Sequence, residues 1–217
     1  MLNQILDALQ PTATRLVAVS KTRPPEDLIQ LYEQGQRDFG ENKAQELASK
    51  YAALPKDIRW HMIGHLQSNK VKYVAPFVHL IHTADSLKIL QEIDKQALRH
   101  NRIIDCLLQF KIAREDTKYG LELSEADAML QSADFQGFKN VRIVGVMGMA
   151  TFTDDDDQIR REFRRLKEIF NIIQAKYFSN QPSFKEISMG MSDDYQIAVE
   201  EGSTMVRIGT LLFGPRL

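Results

Sequence analysis

The chain has 217 residues, 26% of them charged, with 28 Lys+Arg against 29 Asp+Glu and a single Cys. The charges nearly cancel, so no global field draws nucleic acid or an anionic membrane, and the lone Cys106 excludes an internal disulfide framework and a Cys-only metal site. The length fits one domain over residues 1–217, the N-terminus lacks the basic and apolar regions of a signal peptide, and no run approaches the about 20 apolar residues of a membrane span, so a soluble, cytoplasmic protein is expected.

In chain order, Leu2–Leu9 reads as a helix and Leu16–Ser20 (LVAVS) as a strand. Helix Pro25–Gln34, strand Arg37–Glu41, helix Lys43–Tyr51 and strand Trp60–Gly64 follow. Next come helix Ser68–Val74, strand Leu80–Ala84, helix Ser86–His100 and strand Asp105–Ile112. Helix Ser124–Ser132, strand Val141–Met149 and helix Gln158–Phe178 continue the alternation. Strand Phe184–Met189, helix Asp193–Glu200 and strand Thr204–Thr210 complete it. Several helices begin with Pro, Ser or Asp, which suit helix starts. Apolar residues Ile159, Phe163, Leu166, Phe170, Ile173 and Tyr177 recur at helical spacing. The carboxylates Asp154–Asp157 before them suit the positive end of that helix, and read as a solvated cap rather than a metal site.

Strict strand–helix alternation predicts parallel strands joined by right-handed crossovers. Eight strands leave a closed barrel or an open doubly wound sheet. The first strand runs into VAVSKTRPP, with no glycine fingerprint for a dinucleotide and no P-loop, which favours the barrel. The expected fold is therefore a single-domain α/β (β/α)8 TIM barrel with an extra N-terminal helix outside it, placed to cap the N-terminal end.

A barrel keeps its chemistry at the C-terminal ends of the strands. There the sequence places Ser20-Lys21-Thr22, Glu41-Asn42, Gly64-His65, Met147-Gly148-Met149, Ser188-Met189-Gly190 and Gly209-Thr210. Lys21 admits two readings: a desolvated amine able to form a Schiff base with a carbonyl, or a solvated lysine just past a strand. Hydroxyls and glycines around the last two strands (Ser188, Gly190, Ser203, Thr204, Gly209 and Thr210) suit a phosphate, against a plain reading as turn and capping residues. Together with Lys21 they imply a phosphate-bearing carbonyl ligand. Metal readings are weaker. His61 and His65 span a strand-to-turn junction without the glutamate of a zinc helix, and His79 and His82 are expected on the two faces of one strand. Cys106 is expected in the core, and of Met147 and Met149 one is expected in the core and one at the mouth.

The strings AVSKT, FGENKAQE, WHMIGHLQSNK, the Lys118-Tyr119-Gly120 turn, SMGMSDD and GSTMVRIGTLLFG, in this order, resemble the pyridoxal phosphate homeostasis protein family. They extend from Lys21 to Gly214. The resemblance implies the barrel of alanine racemase without that enzyme's C-terminal β-domain. It makes Lys21 the Schiff-base lysine for pyridoxal 5′-phosphate and puts the phosphate among Ser188, Gly190, Ser203, Thr204, Gly209 and Thr210. It sets Arg207 beside the pyridine nitrogen, Asn42 near the ring, and Met147 or Met149 against it. Lys43 departs from the family's usual pattern after FGEN.

An arginine is always charged and only donates, so Arg207 would favour an unprotonated pyridine and weaken carbanion chemistry. Racemization needs acid–base groups on both faces of the substrate carbon. In the racemases this chain resembles, the second group is a tyrosine of the missing domain, and here only Tyr119 and Tyr195 fall in predicted loops at the right end. The expected function is binding of pyridoxal 5′-phosphate on Lys21 for intracellular homeostasis of the cofactor, by sequestration or delivery to pyridoxal phosphate-dependent enzymes. A monomer is expected. The alternatives are a weak alanine-type amino-acid racemase and, without the resemblance, a Schiff-base aldolase on a phosphosugar.

Overall fold

The computed structural model describes residues 1–114 and 119–215. Lys118, part of one motif quoted above, lies outside them. Helix α1 (Leu2–Leu9) precedes strand β1 (Arg15–Val19), and α2 (Pro25–Glu33), β2 (Asp38–Glu41), α3 (Ala44–Ala53) and β3 (Arg59–Met62) follow. Next are α4 (Val71–Val74), β4 (Leu80–Ala84), α5 (Leu87–Arg99), β5 (Ile104–Gln109), α6 (Leu123–Gln131), α7 (Ala133–Gln136) and β6 (Val141–Met147). The chain ends with α8 (Asp156–Tyr177), β7 (Glu186–Ser188), α9 (Tyr195–Glu200), β8 (Met205–Ile208) and α10 (Thr210–Phe213).

The strands pair in parallel in sequence order and close into a barrel through β1 and β8, where Leu16 faces Val206 and Ala18 faces Ile208. The expected (β/α)8 barrel is therefore the observed fold. Parallel neighbours need a crossover each, and the helices provide it while covering the outer face. The outer core includes Phe39, Trp60, Leu90, Ile93, Phe163 and Leu166, all fully buried. A second apolar cluster fills the lumen, made of Val17, Leu80, Leu107, Val144, Met147 and Met205. Each such side chain contributes about 1.5–3 kcal/mol on burial, so the lumen is a packed core rather than a pore. In α8, Ile159, Phe163, Leu166, Phe170 and Ile173 face the outer core, and Asp155 caps the helix by accepting the Gln158 N–H at 3.0 Å. The cap reading of the acidic run holds for Asp155. Cys106 is buried, and burial pushes its thiol pKa up.

The differences from expectation lie mostly at strand ends. Ser20, Ile63, Phe110 and Met149 fall beyond the ends of β1, β3, β5 and β6, where the chain passes into the loops of the mouth. The segment expected as one helix from Ser68 is a 3-10 turn, Ser68–Lys70, followed by α4. The four-residue α7 and α10 are too short to leave a periodic apolar pattern. The residues after α1 lead to the N-terminal end of the barrel: Thr14 donates its hydroxyl to the Ser203 carbonyl, and the Arg15 N–H to that of Thr204. No helix of the described residues is long and apolar enough to cross a membrane.

Candidate functional site

A cleft of about 250 Å³ opens at the C-terminal end of the barrel. Val19, Ile63 and Met149 line its floor and wall, and Lys21, Asn42, Arg207, Ser192, Gly209 and Thr210 bring polar groups to it. Arg23, Asp193 and the exposed Phe152 also border it.

Lys21 stands two residues past β1, in a segment braced from below. The Ser20 hydroxyl donates to Glu41 Oε1 at 2.6 Å, and Lys50 Nζ donates to the same oxygen at 2.7 Å. Lys50 also donates to the Ser20 carbonyl at 2.8 Å and to Glu46 at 2.8 Å. Glu46 in turn accepts the Thr22 N–H at 2.6 Å. Glu41 and Lys50 are both buried, and burial outweighs Lys50 and Ser20 to push the Glu41 carboxyl pKa up. Thr22 has φ +66°, an uncommon conformation for a β-branched residue. The segment is thus fixed on both sides of Lys21.

Asn42 follows β2 and is held by a close backbone approach. A Cβ on Gly64 would lie 2.4 Å from the Asn42 carbonyl oxygen, so only glycine lets the two loops meet.

Arg207 rises from β8 and is 3% exposed. Its Nη1 donates to Ser188 Oγ at 2.6 Å and its Nη2 to the Gly148 carbonyl at 3.2 Å. Its backbone N–H donates to the Gly190 carbonyl at 2.9 Å, and Gly190 has φ +95° with Ala198 packed where a Cβ would be. Burial lowers the guanidinium pKa to about 10, so it remains a cation at neutral pH. Ser192 Oγ accepts the Gly209 N–H at 3.4 Å, joining the loop after β7 to the loop after β8.

Five of the ten residues expected at the site line this cleft: Lys21, Asn42, Arg207, Gly209 and Thr210. Ser188 and Gly190 stand behind Arg207 and support it. Met147 is buried in the lumen, while Met149 lines the cleft, which resolves the methionine pair.

Ser203 and Thr204 require correction. They precede β8, so in a parallel barrel they lie at its N-terminal end. Ser203 Oγ sits 2.8 Å from the Met189 carbonyl oxygen, and Thr204 Oγ1 donates to Glu186 at 2.9 Å beside Arg15, the first residue of β1. Their hydroxyls serve the strand junction, and neither residue lines the cleft. Ser192 is the serine that lines the cleft, and the quoted string SMGMSDD already contained it. Sequence reasoning also missed Val19, Arg23, Ile63 and Phe213 as lining residues. Val19 ends β1 and Ile63 follows β3, so strand register reveals them, whereas Arg23 comes from the loop after β1 and Phe213 from α10.

One histidine expectation also changes. His79 precedes β4 and so escapes its alternation: its ring lies 5.5 Å from that of His61, on the same side as His82 at 5.2 Å. His65 stacks on Tyr119 at the rim, 4.1 Å between centroids. Neither Tyr119 nor Tyr195 lines the cleft.

Comparison with known proteins agrees with this fold. Residues 2–216 match the family described as "Alanine racemase, N-terminal domain". A pyridoxal phosphate homeostasis protein of Aquifex aeolicus is 37% identical, over 99% of this chain and 96% of that one. The human protein of the same name is 38% identical, over 97% of this chain and 78% of that one. The structure of PipY from Synechococcus elongatus with PLP bound is 31% identical and superposes with a TM-score of 0.85, covering 99% and 100% of the two chains. Alanine racemase from Bartonella henselae shares the fold alone, at 16% identity and a TM-score of 0.70, with 57% of its length matched. On these matches the chain belongs to the pyridoxal phosphate homeostasis protein family, built on the barrel of the alanine racemase N-terminal domain.

Proposed function

We propose that this chain binds pyridoxal 5′-phosphate in the cleft, with Lys21 as its covalent anchor, and serves in homeostasis of that cofactor. The observation that carries the reading is the convergence of Lys21, Arg207, Ser192 and Thr210 on one small cleft with apolar walls. That donor set fits the group. When bound, pyridoxal 5′-phosphate supplies an aldehyde that condenses with a primary amine, with loss of water.

Every other part belongs to the protein. Lys21, Arg23 and Arg207 bring three cations against the one carboxylate of Asp193, which suits a doubly charged phosphate. Ser192, Gly209 and Thr210 gather a hydroxyl pair and a small residue for the phosphate end. Arg207 presents a donor with no acceptor capacity, so a ring nitrogen facing it keeps its lone pair and stays unprotonated. That arrangement disfavours carbanion chemistry at the substrate carbon. Met149, Val19 and Ile63 exclude water from the ring faces.

The racemase alternative needs an acid–base group opposite Lys21. Tyr119 is stacked on His65 and Tyr195 opens α9, both off the cleft. Holding and releasing the cofactor is the reading this leaves, with delivery to pyridoxal phosphate-dependent enzymes by a monomer as its fuller form. Transfer to an apoenzyme, followed by its regained activity, tests delivery.

The direct test is the near-visible absorption of protein mixed with the cofactor, before and after borohydride, then peptide mapping. A band that disappears on reduction and leaves a pyridoxyl group on Lys21 is expected, and Lys21→Ala removes both. A label confined to Lys43 or Lys70, which line a neighbouring cavity, would overturn the site. Exchange of the α-proton of alanine with solvent at a useful rate would restore the racemase.

A further inference from the structure

Behind Arg207 the lumen contains a row of polar side chains that cofactor binding does not itself require. Ser188 Oγ lies 2.9 Å from His82 Nδ1. His82 Nε2 lies 2.9 Å from His61 Nδ1. His61 Nε2 lies 3.0 Å from Asp38 Oδ1. Arg59 then closes on Asp38 with two bonds, from Nε at 2.8 Å and Nη2 at 2.5 Å. His61, His82 and Ser188 are fully buried. Asp38 opens β2 and Arg59 opens β3, so the row runs from the N-terminal end of the barrel to the floor of the cleft.

The chemistry of the two ends fixes every proton between them. Arg207 only donates, so Ser188 accepts from it and has its own proton to give. His82 Nδ1 must accept that proton. A neutral His82 then carries its hydrogen on Nε2 and donates to His61 Nδ1. A neutral His61 likewise donates from Nε2 to the Asp38 carboxylate. The reverse polarity would set an unprotonated His61 Nε2 against a carboxylate oxygen, two acceptors at 3.0 Å.

We propose that Ser188, His82, His61 and Asp38 are positioning residues that form a one-directional hydrogen-bond chain and hold the Arg207 guanidinium in register with the cleft. Burial lowers the pKa of both histidines. His61 also faces Asp38, Arg15 and Arg59, and His82 faces His61, Arg207, Arg15 and His79. Neutral rings at the middle of the chain follow. A cation with one fixed direction of donation is what a ring nitrogen opposite it requires. Asp38, His61 and His79 also come within ligating distance of one another. Both Asp38 oxygens already bond Arg59 or His61, however, so these residues serve as the anchored end of the chain. The link to the cofactor rests on the function proposed above, whereas the proton positions do not.

The first arm of the test uses the full chain without cofactor, labelled with nitrogen-15 at its five histidines. Long-range proton–nitrogen correlation should find His61 and His82 as neutral Nε2–H tautomers, unchanged from roughly pH 7 to 8. An Nδ1–H tautomer or a charged ring at either position overturns the proposal without any variant. So does a switch of His61 to the Nδ1–H tautomer with zinc ion alone.

The second arm is Ser188→Ala. It should disturb the His61 signals two links away and weaken cofactor affinity about tenfold, the cost of a lost charge-assisted hydrogen bond. Borohydride labelling of Lys21 should persist. Ser188→Thr, which keeps the hydroxyl, should restore both readouts. Wild-type His61 signals and wild-type affinity in a folded Ser188→Ala protein overturn the chain. If the unmodified protein takes up no cofactor, the function reading falls, and the histidine tautomers alone decide the chain.

Discussion

Replacing Lys50 by Met tests how the Lys21 segment is held. Glu41 is fully buried, and its Oε1 accepts from Lys50 and Ser20, while its Oε2 has no hydrogen-bond partner. Removing the ammonium leaves the Ser20 hydroxyl as the carboxylate's partner. Breaking a buried pair from one side costs about 3–5 kcal/mol.

Glu41 has one escape, which is to take up a proton. Its pKa in the fold is already raised by burial. A carboxyl with a raised folded pKa contributes stability below its unfolded value of about 4.3, and that contribution declines as pH rises through the folded value. Without Lys50 nothing cationic opposes burial, so the folded pKa climbs further and the decline extends towards neutral pH.

Urea unfolding of Lys50→Met should therefore show a larger loss above neutrality than near pH 5. Lys50→Met with Glu41→Leu should recover most of it, because an apolar pair of similar volume replaces the ion pair at little cost. Cofactor affinity should stay weakened in the double variant, since the Ser20 carbonyl and Glu46 have still lost their cation. A single variant within about 0.5 kcal/mol of the parent, a loss that is the same at both pH values, or a double variant as unstable as the single would refute the reasoning.

Gly64→Ala should cost about 1–3 kcal/mol and reduce cofactor affinity, because its Cβ meets the Asn42 backbone at 2.4 Å; denaturation and a binding titration check the two effects, and unchanged affinity refutes the link. Thr22→Gly should stabilise the fold by up to about 1 kcal/mol, relief of a β-branched residue at φ +66° exceeding the entropy cost of glycine, and a clear loss in thermal unfolding would contradict this. The lowered pKa values of His61 and His82 give stability that is present above about pH 6.5 and lost as pH falls, so His82→Gln should narrow the difference in urea midpoint between pH 5 and pH 7. An equal or wider difference would show that the buried rings are not the source.

The barrel was legible because its signals are local. The alternation of short apolar runs with amphipathic stretches is written segment by segment, and Leu80–Ala84 and Leu2–Leu9 match their predicted bounds. Lys21 was legible because it directly follows the first strand, at the end where a barrel keeps its chemistry. Ser203 and Thr204 misled because hydroxyls beside a strand look alike at either end, and only strand direction separates the mouth from the base. Ser188 and His82 are 106 residues apart, and His82 and His61 are 21 apart. No spacing rule links them. The members of the row sit on β2, β3, β4, β7 and β8, and closure of the barrel lines them up.

Two of the cations that face the cleft, Lys21 and Arg207, are held by separate buried networks on opposite sides of the barrel wall. Lys21 depends on the Ser20–Glu41–Lys50–Glu46 group, which lies outside the barrel against α3. Arg207 depends on Ser188 and the histidine row, which lie within the lumen. Burying charge is costly on either side, and a packed apolar wall would be at least as stable. What the charges add is direction: an amine and a guanidinium brought to one small cleft by partners that themselves cannot move. A carrier of a reactive aldehyde needs that rigidity more than it needs the stability. On the function proposed above, the amine would meet the carbonyl and the guanidinium the far side of the ring, with both in place before the ligand arrives.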